Sequence, residues 1–258
     1  MIRQRFPPET RIPGLAAGGR TRQSRPMHPA NDRRDFLRKV ALAASLACEP
    51  KAGPAATDTP EALPVPVTYQ SLGPAEAAFV ERIVDVMCPA DDLTPVGTSC
   101  GLALFIDRQL AGAFGRGERL YLRGPWRPGR PEHGYQLPLT PEQFFKAGLS
   151  AADELCGQRH GKRFADLDAA LADAFLTEIA HGAAHPRIAL GEWFNELVYP
   201  LFQQACFSDP THGGNRNKVF WRMIGYPGLP AVHGINMVQY RGKPFPGAAR
   251  PLSMDDFG

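Results

Sequence analysis

Apolar residues along this chain recur at helical spacing and almost never alternate with period two, which predicts a mainly α fold. The first such stretch opens at Gly73-Pro74 and carries Phe79, Val80, Ile83, Val84 and Met87 on one face. Proline suits a first helical turn, where its missing N–H has no partner to lose. Pro89 marks the end of that helix. Thr98 or Ser99 is placed to cap a second helix with Leu102, Phe105, Ile106 and Leu110. Thr140-Pro141-Glu142-Gln143 is a capping box ahead of a third, which carries Phe144, Phe145, Leu149, Ala152, Leu155 and Cys156. A fourth starts near Asp168, presents Leu171, Phe175, Leu176 and Ile179, and stops at Gly182. The fifth carries Trp193, Phe194, Leu197, Val198, Leu201 and Phe202. Pro200 falls inside it and predicts a kink, because the ring lacks an N–H and crowds the preceding turn. A short sixth covers residues 217–224 and ends at Gly225. Residues 113–139 and 226–258 read as long loops.

Composition agrees with that outline. The 26 glycines and 26 prolines predict long irregular stretches between helices. A length of 258 residues suits one domain with an N-terminal extension, and an apolar fraction of 43% excludes a disordered chain. The formal charge is only +3, and much of the basic excess precedes residue 40. The remainder is near neutral or acidic, so the chain shows no electrostatic footprint for nucleic acid.

The basic N-terminus changes the picture. Asn31-Asp32-Arg33-Arg34-Asp35-Phe36-Leu37-Arg38-Lys39 has the order of a twin-arginine export signal. Arg33 and Arg34 form the pair, Phe36 and Leu37 the apolar step, and a basic residue follows. The apolar run over residues 40–47 is too short and alanine-rich to span a bilayer stably. Such signals are addresses read by a receptor and carry folded cargo, here to the periplasm through the twin-arginine translocase. A basic amphipathic surface helix is the competing reading. Met27 is an alternative start that leaves a compact basic region before the arginines. Ser45-Leu46-Ala47 offers small residues for cleavage before Cys48. Leu46-Ala47-Cys48 resembles a lipoprotein acceptor, although Ser45 stands where a large apolar residue is usual. Residues 49–67 are rich in Pro, Ala and Thr and have linker composition. The chain therefore divides into residues 1–56, signal segment and linker, and residues 57–258, a single irregular helical domain with long Gly/Pro-rich loops.

Export would place Cys88, Cys100, Cys156 and Cys206 in an oxidising compartment. Four cysteines allow three pairings. Cys88 and Cys100 flank a loop with Pro and Gly and are the candidate disulfide, while buried free thiols are the alternative. No Cys-x-x-Cys occurs, so the chain lacks a c-type haem attachment sequence and a zinc ribbon. No Gly-x-Gly-x-x-Gly follows a strand pattern, and neither Gly-x-Ser-x-Gly nor His-Glu-x-x-His is present. Asp91-Asp92 is an acidic pair in a loop, a pattern more often solvated or capping than metal-binding. His181 and His185 have metal-compatible spacing, but Gly182 breaks the helix between them. Trp126 and Tyr135 stand in the first long loop, either as anchors for a partner or folded back on the core.

The sharpest segment is Phe207-Ser208-Asp209-Pro210-Thr211-His212-Gly213-Gly214-Asn215-Arg216. Asp-Pro begins a turn, Gly-Gly-Asn tolerates positive φ, and Asp209 and Asn215 are able to tie the loop through side-chain bonds to the backbone. Val219, Phe220, Trp221 and Ile224 follow as packing residues. The pattern describes a rigid loop without a catalytic set.

Asp209-Pro210-x-x-Gly213-Gly214-Asn215-Arg216, with Trp221 and Ile224-Gly225-Tyr226-Pro227-Gly228, resembles the closing signature of the gluconate 2-dehydrogenase subunit 3 family. Pro89-Ala90-Asp91-Asp92 and Phe105-Ile106-Asp107-Arg108-Gln109-Leu110-Ala111-Gly112 are similar to its first block. Gly124-Pro125-Trp126, Gly134-Tyr135-Gln136 and Pro138-Leu139-Thr140-Pro141 are similar to its middle. The resemblance implies a small subunit of a membrane-bound dehydrogenase, with no cofactor of its own. FAD is expected in a large partner subunit that oxidises a sugar acid, and haem c in a cytochrome c partner that passes electrons to quinone. It further implies a role in export and assembly of the large subunit, at the periplasmic side of the inner membrane. Two rivals are a catalytic subunit of other chemistry and a free-standing periplasmic or lipid-anchored binding protein.

Overall fold

The computed structural model describes residues 68–257, save 128, 131 and 132. The chain divides into two units, Met1–Ala43 and Ala44–Gly258, and all described residues lie in the second. The twin-arginine stretch with Arg33, Arg34, Phe36 and Leu37, Cys48, and the linker lie outside the described residues.

The described chain is mainly helical, as the spacing of apolar residues predicts. Helix α1 spans Pro74–Met87 and buries Ala77, Phe79, Val80, Ile83 and Val84. Proline occupies its first turn, and the Glu76 carboxylate accepts the Gly73 N–H at 2.8 Å. Helix α2 (Leu102–Ala111) has Gly101 at its N-cap rather than Thr98 or Ser99. Gly101 lies in the left-handed region, with φ of 77°, and no side chain caps the helix. The reason lies outside the helix. A Cβ at Gly101 would come within 2.2 Å of the Gly213 carbonyl, so contact with a distant loop selects glycine here.

Helix α3 (Pro141–His160) is capped as predicted: Thr140 accepts the Gln143 N–H, and Gln143 answers to the Thr140 N–H. Helix α4 (Ala169–Ala180) is capped by Asp168, which accepts the Leu171 N–H at 2.9 Å. Helices α5 (Leu190–Trp193) and α6 (Tyr199–Phe207) are joined by a π turn over Phe194–Val198. Pro200 therefore acts through the helix's internal register. The Tyr199 N–H reaches back to the Phe194 carbonyl, and this wider turn admits a ring that an α-helical turn would crowd. Helix α7 is shorter than the pattern predicts, Val219–Ile224, because Asn217 and Lys218 both have positive φ. Gly225 ends it as predicted. The expected loop over 226–258 contains one more helix, α8 (Gly234–Gln239).

One apolar core holds helices α1 to α7 together. Helix α2 packs on α1 and α6, α1 also meets α4, and α3 meets α5. Phe79 and Phe164 stack at 4.4 Å, and Phe164 reaches Phe175 at 5.8 Å. Each such buried side chain contributes about 1.5–3 kcal/mol. Helices α3 and α5 are brought close by Gly148, where a Cβ would lie 2.1 Å from the Trp193 indole. The indole N–H donates to the Phe145 carbonyl at 3.1 Å. No helix among the described residues is long and apolar enough to cross a membrane.

Candidate functional site

The signature loop is built around Asn215, which is fully buried. Its side-chain amide donates to the Ser208 carbonyl at 3.0 Å, and its oxygen accepts the Phe220 N–H at 3.0 Å. One side chain thus joins the end of α6 to the start of α7. Its φ of 46° is a conformation that asparagine tolerates better than most residues. Gly213 and Gly214 let the loop press on the body. A Cβ on Gly214 would lie 2.5 Å from the Ala205 carbonyl, and one on Gly213 would meet the Arg108 guanidinium at 2.8 Å. The Arg216 N–H donates to the Cys100 carbonyl at 3.0 Å, fixing the loop to the start of α2. Asp209 accepts the Thr211 N–H at 3.1 Å and the Met254 N–H at 3.0 Å. Asp209 and Asn215 tie the loop to the backbone, as its residues predict, and Asp209 also holds the C-terminal segment.

Beside this loop runs an open, mostly apolar groove of about 480 Å³. Phe207, Trp221, Ile224, Tyr226, Leu229 and Met254 line it. The Trp221 N–H donates to the Phe207 carbonyl at 2.9 Å, and its ring meets Tyr226 edge-on at 5.1 Å. Trp221 is thereby a buried strut, while Phe207, Ile224 and Tyr226 remain about two-fifths exposed. Asp209 is the one carboxylate in the groove wall, and both bonds above hold it in the backbone.

Tyr135 lies against Phe144 at 4.5 Å, and its hydroxyl donates to the Leu139 carbonyl at 3.4 Å. Burial pushes its pKa up to about 12. Tyr135 is folded onto the core, whereas Trp126 is half-buried in a stretch of exposed residues. The two aromatics of the first long loop thus have different surroundings.

Cys88, Cys100 and Cys206 meet in the interior, all as buried free thiols. The sulfurs of Cys88 and Cys100 lie against the same Pro95 carbonyl, at 3.7 and 3.5 Å. Side-chain hydrogen bonding between the two thiols holds Cys88 below its ordinary value and pushes Cys100 up. Burial pushes Cys206 up, and the nearby Cys88 adds to that. Cys156 is also buried and is raised to about 11 by desolvation.

Residue types considered for metal do not converge. The Asp91 carboxylate accepts the N–H groups of Leu93 and Thr94, each at 2.8 Å, and so shapes its own turn. The His181 ring bonds the Thr177 carbonyl at 2.6 Å, while His185 lies 3.6 Å from Glu154. Among the described residues no three His, Cys, Asp or Glu side chains form a group able to hold a metal ion.

The sequence reading overlooked one residue of consequence. Asp107 is fully buried on α2 and accepts the N–H groups of Gln70, Ser71 and Leu72 at 2.7, 2.9 and 2.9 Å. It anchors the segment that leads into α1. Glu142 and Lys146 assist from α3: Ser71 donates its hydroxyl to Glu142, and Lys146 donates to the Ser71 carbonyl at 2.7 Å. The Ser71 hydroxyl and the Lys146 ammonium hold the Glu142 carboxyl below its ordinary value. The signal for Asp107 was visible as a carboxylate among the apolar residues of a core helix, a place where charge persists only when paired.

The sequence model of the gluconate 2-dehydrogenase subunit 3 family matches residues 74–228, more than half of the chain. The chain belongs to that family. The match opens at the first residue of α1 and closes at Gly228 in the groove wall. It therefore takes in the core, Asp107, the cysteine cluster and the Asn215 loop, and it stops before α8. No curated protein and no solved structure matches the chain significantly.

Proposed function

We propose that this chain is the non-catalytic small subunit of a periplasmic, membrane-bound FAD-dependent sugar-acid dehydrogenase, and that it carries the flavin subunit through export and assembly. Membership of the gluconate 2-dehydrogenase subunit 3 family is the observation that carries this reading. The twin-arginine stretch at residues 31–39 supports it from the other end of the chain. A flavoprotein that closes around its cofactor in the cytoplasm must cross the membrane folded, and the twin-arginine route moves folded cargo. A large subunit without a signal of its own travels with a partner that has one. In this reading the flavin and the sugar acid belong to the large subunit, and a cytochrome c subunit takes the electrons to quinone. The chain is then peripheral to the inner membrane, held there through its complex.

The test replaces Arg33 and Arg34 with lysine in cells that make both subunits. The large subunit should stay in the cytoplasm, and periplasmic dehydrogenase activity should be lost. Normal arrival of the large subunit in such cells would sink the export role. Neighbouring reading frames give a faster check, since the reading expects a flavoprotein and a cytochrome rich in Cys-x-x-Cys-His beside this one.

A further inference from the structure

Residues 119–130 differ from the rest of the domain in charge and in contacts. They carry Arg119, Arg123, Arg127 and Arg130 and no carboxylate. None of these arginines makes an ion pair among the described residues, whereas the nearby Arg116 is matched by Glu118 at 2.8 Å. Leu120, Tyr121 and Leu122 sit between the first two arginines and are exposed at 45%, 80% and 37%. Over residues 121–127 no backbone N–H or C=O is hydrogen-bonded within the described chain. Cation, apolar surface and backbone polar groups without a partner among the described residues thus coincide in one short stretch.

We propose that residues 119–130 form an arm that grips the partner subunit, seated in an apolar groove rimmed by carboxylates. The proposal rests on the reading of the chain as a subunit of a larger dehydrogenase. Four arginines and no lysine favour carboxylates, because the planar guanidinium pairs with them through two parallel bonds. The leucines and the tyrosine supply the area that a groove would bury. The backbone decides between a protein and a lipid surface. Lipid cannot satisfy open N–H and C=O groups, so membrane-bound segments fold them into a helix first. A protein partner supplies such bonds from its own main chain, as in strand addition to a sheet edge.

The experiment co-expresses the full chain with a tagged large subunit. Three forms are compared: wild type, Arg119→Glu/Arg123→Glu/Arg127→Glu, and Leu120→Ser/Tyr121→Ser/Leu122→Ser. Thermal melts first establish that both variants fold as wild type does, which the exposure of these residues predicts. Wild type should be recovered with the large subunit, and less of it as salt is raised. Each variant should be recovered about tenfold less or worse. If wild type itself is not recovered, the subunit reading fails. If wild type is recovered and the variants match it, the arm is overturned while the subunit reading stands. Vesicles of anionic phospholipid provide the last arm. Variants that keep the subunit but lose the vesicles would make 119–130 a membrane contact and overturn the proposal.

Discussion

Asp107 shows how one side chain decides where the domain begins. Three backbone N–H groups converge on its carboxylate inside the core. Asn has the same shape, but it turns one acceptor oxygen into a donor facing another donor. Asp107→Asn should therefore cost about 1–3 kcal/mol, read as a lower urea midpoint with an unchanged slope. A loss below about 0.5 kcal/mol would mean that residues 70–72 are held by other contacts. The buried thiols make a second prediction at this scale. Protein taken from an oxidising compartment and alkylated before digestion should yield a peptide linked through Cys88 and Cys100, with Cys156 and Cys206 alkylated. Their shared contact with Pro95 places them together, and a bridge would close a short loop worth about 3 kcal/mol of stability. A link through Cys206 instead, or four alkylated thiols, would refute this pairing.

At the scale of elements, helices with caps and a clear apolar face were legible in the sequence. Thr140 and Asp168 announce α3 and α4 through local chemistry, and the structure uses both. The features that were not legible depend on distant partners. Gly101 replaces a side-chain cap because the Gly213 carbonyl leaves no room for a Cβ, a contact no local pattern contains. The π turn over Phe194–Val198 is the form that the interruption at Pro200 takes, and no local pattern announces it. Helix α8 escaped notice because it buries none of its own residues and so has no apolar stripe turned to the core. The Asn215 loop was legible as rigid, while its grip on Met254 through Asp209 was not. Helix packing makes its own prediction at Gly148. A methyl there meets the Trp193 indole, so Gly148→Ala should destabilise the protein by about 1–3 kcal/mol despite the better helix propensity of alanine. A more stable variant in thermal melts would show that α3 and α5 separate easily. The C-terminal turn Met254–Asp256 has a pH signature. Lys218 and Ser253 hold the Asp256 pKa down to about 2, from an ordinary 3.8. A lowered pKa stabilises the fold above the ordinary value, and that contribution fades as pH falls from about 4 toward 2. The amide signal of Ser253, which donates to the Asp256 carboxylate at 2.6 Å, should shift as pH falls toward about 2 in wild type and lose that transition in Asp256→Asn.

For the whole molecule, apolar surface left uncovered outside the core matters most. Val232, Ile235, Met237 and Val238 are 73–83% exposed on and beside α8, after the end of the family match. In the same segment His233 and Tyr240 each pack on Phe245, with ring separations of 5.8 and 5.2 Å. So many exposed apolar side chains within residues 232–238 are unusual on a protein that stays single. Made alone, the chain should therefore associate with itself as its concentration rises. Sedimentation velocity would show the average mass growing with concentration. Val232→Ser/Ile235→Ser/Val238→Ser should return it to a single species without lowering the melting temperature, because these side chains are about four-fifths exposed. Salt separates this surface from the arm at 119–130. Apolar association persists or strengthens as salt rises, whereas arginine contacts weaken. A chain that remains single at high concentration would show that α8 needs no cover.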